Sequence, residues 1–239
     1  MSLPPQPPHL AEEQTPLLIS EEMLAHGEPA ERIDFEQGIS YFPGLVLLLI
    51  AVITAVFGWE MVHGALASKE AIIAAGALAR DRVLAGETWR LLTATFLHGS
   101  PDHLVGNCVV LYIVGLACQH AFGWARTAII YFGTALCGGL LSLASHAGPS
   151  VGASGAIFGI TAATIVFFYR HQKTVMLRDK RIGFVLLIWA LYEIGSGALN
   201  PMVDNYAHLG GFAAGAIAAL VLHPILLTRS PQPAASAGC

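Results

Sequence analysis

The sequence predicts an all-α membrane protein, a bundle of six transmembrane helices with a structured first loop. Its 239 residues are 55% hydrophobic and only 12% charged, whereas a typical soluble domain carries about 25% charged residues. The apolar residues fall in long blocks between positions 42 and 228, and about 20 apolar residues suffice for a helix to cross a bilayer. Nearly all of the foldable chain is therefore expected in lipid, as one domain.

The two ends of the chain differ from this apolar centre. Residues 1–41 are rich in Pro and Glu, hold eight of the sixteen acidic residues and have too little apolar content to fold alone. We expect a flexible, acidic, cytoplasmic tail over these residues. The six-span domain is then predicted over residues 42–228, with a short C-terminal tail over residues 229–239.

Six apolar blocks are predicted to cross the membrane. The first covers residues 42–62, and a mixed segment over residues 64–101 follows, in which short apolar stretches alternate with charges. None of these stretches is long enough to span, so the segment is expected to form a structured loop with short, half-buried helices. The remaining spans are predicted over residues 102–122, 124–145, 153–169, 182–199 and 205–227.

The basic residues indicate an orientation for the helices. Five of the twelve Lys and Arg residues lie at positions 170–181, between the fourth and fifth predicted spans. Cytoplasmic loops of membrane proteins are enriched in Lys and Arg, so we place this connection and both termini in the cytoplasm. The 64–101 loop then lies outside, although it carries four basic residues over a longer stretch.

The composition argues against several other classes of protein. No basic stretch with interleaved aromatics suggests nucleic-acid binding. The histidines near predicted span ends are not gathered with carboxylates, so we expect no metal and no cofactor. These histidines are His63, His120, His146 and His223. A small transporter is a weaker alternative, because the two halves show no matching Gly/Pro-broken spans.

Glycines predict which helices pack together. Gly155 and Gly159 form a GxxxG pattern on the fourth span, and Gly211 and Gly215 form another on the sixth. This spacing lets two helix backbones approach closely within a membrane. The fourth and sixth spans are therefore predicted to be in contact.

Four polar residues within the predicted spans are functional candidates, because polar side chains in lipid are costly. His103 and Asn107 are four residues apart on the second span and therefore share one face. Ser154 begins the fourth span, and His208 lies one turn into the sixth. The predicted contact between those two helices brings the Ser154 hydroxyl toward the His208 imidazole.

A serine paired with a histidine indicates nucleophilic catalysis. A serine hydroxyl becomes reactive when an imidazole accepts its proton, and the same imidazole can return that proton to a leaving amine. Backbone N–H groups at a helix N-terminus and side-chain donors can stabilise an oxyanion. Ser154 has such a position, with His103 and Asn107 as candidate donors.

Four signatures in this order resemble those of the rhomboid family of intramembrane proteases. They are Trp89-Arg90, His98-x4-His103-x3-Asn107, Gly152-Ala153-Ser154-Gly155 and Ala207-His208-x2-Gly211-x3-Gly215. The resemblance implies a serine endopeptidase that cleaves single-span membrane-anchored proteins near the outer face, with the bilayer as its other partner. It also implies a Ser154–His208 dyad without an acidic third member.

The resemblance assigns further roles around this dyad. His103, Asn107 and the Ser154 N–H would form the oxyanion hole. Phe158 falls where the family places an aromatic against the catalytic imidazole; the family often has Tyr there, so the hydroxyl is missing from this chain. Gly152 and Gly155, with Gly211 and Gly215, would support the site.

Simpler interpretations stay open for individual residues. The GxSG motif alone is also typical of helix packing, and Trp89 and Arg90 are also explained as anchors of the loop at headgroup level. His98 is better explained as a donor that structures the loop than as a catalytic group. Glu60 and Glu193 have no obvious partner. For the whole chain, the alternative is a non-catalytic rhomboid-like factor that binds transmembrane helices.

Overall fold

The structure, a computed structural model, describes residues 32–145, 148–178, 181–198 and 203–228. It is mainly helical, which confirms the helical class. The helices are α1 (Gly44–Val62), α2 (Lys69–Ala75), α3 (Arg80–Leu84), α4 (Arg90–Thr93), α5 (Pro101–Ala144), α6 (Ser154–His171), α7 (Ile182–Ala198) and α8 (Asn205–Val221), followed by a 3₁₀ turn at Ile225–Thr228. Two short strands, β1 (Ile33–Asp34) and β2 (Val175–Met176), pair in parallel.

Three helical segments of the described chain are long and apolar enough to cross a membrane. They are Gly44–Val62, Pro101–Ala144 and Asn205–Thr228. The 44 residues of α5 would measure about 66 Å if straight, roughly twice the hydrocarbon thickness of a bilayer. The helix is interrupted at Gly123, whose φ of +77° is non-helical, so α5 consists of two arms, residues 101–122 and 124–144. The predicted boundary between the second and third spans falls at this break, while the count of six spans stays a prediction.

Helix α6 lies at the centre of the bundle. Its residues from Gly155 to Thr164 are all buried, and it packs against α5, α7 and α8. A helix that is apolar on every side is typical of a protein core or of a membrane span, and here neighbouring helices bury it. Ser154, at its first position, is therefore held by the best-packed element of the described chain.

Glycines bring α8 against α6, as the GxxxG patterns predict. A Cβ added to Gly211 would overlap the carbonyl of Gly155, and one added to Gly215 would overlap the carbonyl of Gly159. The predicted contact is confirmed. A second glycine contact was not predicted: Gly210 faces the backbone of Cys137 on the second arm of α5.

The first loop is structured by Arg90. Its guanidinium donates to the carbonyls of Ile73 (2.5 Å) and Ala77 (3.0 Å) and pairs with the Glu87 carboxylate at 2.6 Å. It also lies 4.5 Å from the centre of the Trp89 ring. Because Arg90 is only 3% exposed, its buried side chain does not favour the alternative of a headgroup anchor. It ties α2 and α4 together from inside the loop.

The chain before α1 is packed against the helices in its described part. β1 pairs with β2, and the Phe35 side chain is buried between His120 and Phe168. Residues 33–35 of the predicted tail thus pack against the helices, which composition alone did not predict, while the boundary at residue 41 stays a prediction. His120 is likewise buried. Predictions for residues 1–31 and 229–239 lie outside the described residues.

The last predicted span, residues 205–227, agrees with the apolar segment Asn205–Thr228, but its final residues are not α-helical. Helix α8 stops at Val221, Leu222 is extended, and a 3₁₀ turn begins at Ile225. Pro224 explains this end, because proline lacks an N–H group and disfavours helical backbone in the residue before it.

Candidate active site

The Ser154 hydroxyl and the His208 imidazole form a hydrogen-bonded pair. Nε2 of His208 lies 2.9 Å from Oγ of Ser154. Ser154 is half-buried at the first turn of α6, while His208 is only 6% exposed in the first turn of α8. The sequence predicted this pair, and the distance is within the reach that proton transfer requires.

Asp204 fixes the start of α8, four residues before His208. One carboxylate oxygen accepts from the N–H of Ala207 at 3.0 Å, which is a helix cap. The other accepts from the Ser142 hydroxyl at 2.5 Å, which ties α8 to the second arm of α5. The position of His208 therefore depends on α5 as well as on the glycine contact with α6.

The other ring nitrogen of His208 is not paired with a carboxylate. Nδ1 is buried and has no hydrogen-bond partner among the residues that the structure describes. The Phe158 ring instead covers the imidazole face, with ring centres 4.3 Å apart and planes 14° from parallel. The ring of Trp189 on α7 also stacks on Phe158, with ring centres 5.6 Å apart. The imidazole is thus oriented by stacking.

His103 and Asn107 lie beside the Gly152-Ala153-Ser154-Gly155 motif. A Cβ on Gly152 would come 2.9 Å from Nε2 of His103 and 3.6 Å from Nδ2 of Asn107. The backbone φ of Gly152 is +128°, a value that residues other than glycine rarely adopt. The motif therefore passes close to both candidate donors because residue 152 lacks a side chain.

Backbone donors adjoin the same region. Ala153, before the first residue of α6, makes no side-chain cap, so the first N–H groups of the helix lack intrahelical partners. A cavity of about 30 Å³, which has room for water, is lined by residues that include Gly152, Ser154 and Ala207. Thus His208 bonds Ser154 itself, and His103 and Asn107 lie beside Gly152, two residues before it.

Two buried residues beside this group were not assigned to it from the sequence. Asn107 Nδ2 lies 3.0 Å from Nε2 of His98, and the N–H of His98 donates to both carboxylate oxygens of Glu60 at 3.2 and 3.1 Å. His98 and Glu60 are both fully buried. The loop-structuring role predicted for His98 agrees with this position, whereas Glu60 had no predicted partner.

Trp89 and Arg90 do not join the pair. Both belong to the first loop, which reaches the motif through backbone bonds: the N–H of Gly152 donates to the carbonyl of Ala94 at 2.9 Å. Leu78 and Ser150 also pair as an isolated bridge. The predicted supporting role of Trp89 and Arg90 is thus confined to holding the loop that the motif rests on.

Residues 85–225 match the family model described as the rhomboid domain. The chain belongs to the rhomboid family. As a rhomboid it is an integral membrane protein, consistent with its apolar helices. The match covers all four signatures, and it includes both members of the Ser154–His208 pair.

Several curated relatives are similar to this rhomboid. Rhomboid protease GluP of Bacillus subtilis (strain 168) is 32% identical over 180 residues, which is 75% of this chain and 35% of GluP. Rhomboid protease AarA of Providencia stuartii is 28% identical over 197 residues, 72% of this chain and 70% of AarA. RHOMBOID-like protein 4 of Arabidopsis thaliana is 36% identical over 149 residues, 62% of this chain and 37% of that protein. The chain thus spans about a third of the length of GluP and of the Arabidopsis protein.

Proposed function

We propose that this rhomboid is an intramembrane serine endopeptidase with Ser154 as nucleophile and His208 as general base. The observation that carries the proposal is the 2.9 Å distance between Ser154 Oγ and His208 Nε2 inside a helix bundle. The names of GluP and AarA, both rhomboid proteases, support the same activity.

Acylation follows from this geometry. Nε2 of His208 accepts the Ser154 proton as Oγ attacks the carbonyl carbon of the scissile peptide bond. The carbonyl oxygen becomes an oxyanion, which the N–H of Ser154, Asn107 and His103 stabilise. The imidazolium then gives its proton to the leaving amine, and the acyl group remains on Ser154.

Deacylation repeats the steps with water. His208 takes a proton from a water molecule, whose oxygen attacks the ester carbon and restores the tetrahedral oxyanion. Collapse of this intermediate breaks the bond to Ser154 Oγ, which recovers its proton from His208. The products are a new carboxyl terminus and a new amino terminus of the cleaved protein.

The substrates are proposed to be single-span membrane proteins that are cut near the outer face. This follows from six spans with both termini in the cytoplasm, since Ser154 begins the fourth span and the basic connection at 170–181 follows its other end. The site then lies toward the outer side of the bilayer.

Cleavage of a panel of membrane-anchored reporters in proteoliposomes tests the proposal. Ser154→Ala and His208→Ala should each lower the rate by about 10³-fold or more, and the double variant should be no worse than either, because the two residues act as a unit. The free energy of unfolding should stay within about 1–2 kcal/mol of the unmodified protein.

A fluorophosphonate label separates this activity from the non-catalytic alternative. The unmodified chain should be labelled at Ser154, and Ser154→Ala should not. A chain that binds transmembrane helices, cleaves no reporter and leaves Ser154 unlabelled would be the helix-binding factor.

A further inference from the structure

Three buried groups from three segments form a chain of hydrogen bonds that ends beside the motif at Ser154. Glu60 belongs to α1, His98 to the connection before α5, and Asn107 to the second turn of α5. Positions 60 and 98 are 38 residues apart, and His98 and Asn107 are 9 apart. Glu60 and His98 are each 0% exposed, and Asn107 is 8% exposed.

Burying a carboxylate is costly unless it receives hydrogen bonds. Both oxygens of the Glu60 side chain accept from the backbone N–H of His98. These bonds hold the loop backbone at residue 98, from which the imidazole side chain extends. Glu60 thereby determines where the His98 side chain lies in the protein and which way it points.

The tautomer of His98 determines which end of the Asn107 amide it can bind. Burial, with a smaller effect of His103, lowers the pKa of His98 to about 4, so the ring is neutral near pH 7. Nδ1 lies 3.3 Å from the carbonyl of Phe96 and donates its proton to it. Nε2 is then an acceptor and requires the NH₂ group of Asn107.

The orientation of this amide matters for catalysis. With one N–H bound to His98, the nitrogen of Asn107 remains on the side of Gly152. If the amide turned over, its oxygen would face both the lone pair of Nε2 and the developing oxyanion, and both interactions are repulsive. An asparagine without this constraint would spend time in the unproductive orientation.

We propose that Glu60 and His98 are positioning residues that hold the Asn107 amide with its N–H toward the oxyanion. This inference rests on the proposed function, because Asn107 must donate to a charge that forms during peptide cleavage. Neither residue touches the substrate; both act through Asn107.

A double-mutant cycle with Asn107→Ala tests whether Glu60 and His98 act through Asn107; we call this hydrogen-bonded set of Glu60, His98 and Asn107 the positioning relay. His98→Ala and Glu60→Ala should each lower kcat by about 10- to 100-fold with KM within about 3-fold, since misplacing a catalytic group by 1 Å can cost about 10²-fold. In the Asn107→Ala background, the same substitutions should lower kcat by less than about 3-fold further, because the group that they position is absent.

Conservative variants and a loop control complete the design. His98→Gln offers an acceptor oxygen to Asn107 and should recover part of the lost kcat, and Glu60→Gln, which retains one acceptor for the His98 N–H, should do the same. These two variants also serve if an alanine variant does not fold. Thr93→Val removes a hydrogen bond to the Gly76 carbonyl elsewhere in the loop, so any loss that it causes should multiply with that of Asn107→Ala.

The outcomes separate the two proposals. If the unmodified chain shows no cleavage that depends on Ser154, the proposed function fails and the relay fails with it. If cleavage depends on Ser154 but the losses from His98 or Glu60 multiply fully with that of Asn107→Ala, the proposed function stands and the relay is wrong.

Discussion

At the scale of single residues, the orientation of His208 depends on an aromatic face. No carboxylate among the described residues holds Nδ1, so ring rotation is limited by the contact with Phe158, whose centre lies 4.3 Å away. Phe158 is itself 2% exposed and is covered by Trp189. A stacked ring resists tilting of the imidazole while leaving Nε2 free to exchange a proton with Ser154.

Phe158→Leu should lower kcat and leave KM nearly unchanged. Leucine fills most of the space but cannot stack, and an aromatic pair contributes about 0.5–1.5 kcal/mol beyond its buried area, so kcat should fall about 2- to 12-fold. Cleavage kinetics in proteoliposomes measure this. Phe158→Tyr, which keeps the ring, is the control and should stay near the original kcat; a tyrosine variant as slow as the leucine variant would contradict the role of stacking.

The sequence identified the proposed nucleophile and base better than the residues that position the site around them. Ser154 and His208 stand out because polar side chains are rare in membrane helices, and two glycine patterns indicated that their helices meet. The roles of His98 and Glu60 depend on hydrogen bonds between distant segments. No periodicity or spacing in the sequence reports such a bond, so Glu60 could not be assigned.

At the scale of helices, close backbone contact sets the geometry of the site. Gly211 and Gly215 leave no room for a side chain between α8 and α6, since an added Cβ would overlap the carbonyls of Gly155 and Gly159. Membrane helices associate through such packing because lipid supplies no hydrophobic driving force. Any separation of these helices would lengthen the distance from Ser154 to His208.

Gly215→Val should therefore reduce both stability and cleavage. Overpacking a tight contact typically costs about 1–3 kcal/mol, and a backbone carbonyl yields less than a side chain, so the loss in free energy of unfolding should reach at least that range. Thermal unfolding in detergent and reporter cleavage are the two measurements. Gly133→Val is the matched control, because nothing lies within 4 Å of a Cβ at this α5 position. Equal effects of the two substitutions would contradict the role of the close contact between α6 and α8.

The helices themselves were largely predictable from apolar length, and the exceptions have local causes. The break in α5 lies at Gly123, and α8 gives way to a non-helical segment at Leu222, shortly before Pro224. The contact of Gly210 with α5 was missed because a glycine on a helix face does not indicate which neighbour approaches it. The burial of Arg90 was not predicted, because a charged loop residue is usually solvated, whereas this one is paired and buried.

At the scale of the whole molecule, the segment before α1 is joined to the far end of α6. Phe35 is 4% exposed and contacts His120, Phe167 and Phe168 with ring centres 4.8–6.0 Å apart. The guanidinium of Arg32 donates to the carbonyls of Gln172 and Val175. The start of the described chain thus takes part in the packing of the central helix.

Phe35→Ala should lower the unfolding midpoint in detergent. Removal of a buried phenyl group costs about 3–5 kcal/mol in well-packed cores, and the cavity would open against α6. Phe42→Ala is the matched control, since this nearby phenylalanine is 82% exposed. A midpoint that falls equally in both variants would show that the Phe35 contacts do not stabilise the bundle.

The pairing of β1 with β2 also constrains how the chain is threaded through the bilayer. Short unpaired strand edges cannot lie in lipid, so the pair sits at one surface of the membrane. A chain that leaves Asp34 and returns to Val175 at the same surface must cross the bilayer an even number of times. Counting α5 as a single crossing, together with α1 and α6, would give an odd number. We therefore predict that each arm of α5 crosses once, which gives four crossings and puts the N-terminal segment and the basic connection after α6 on one side of the membrane.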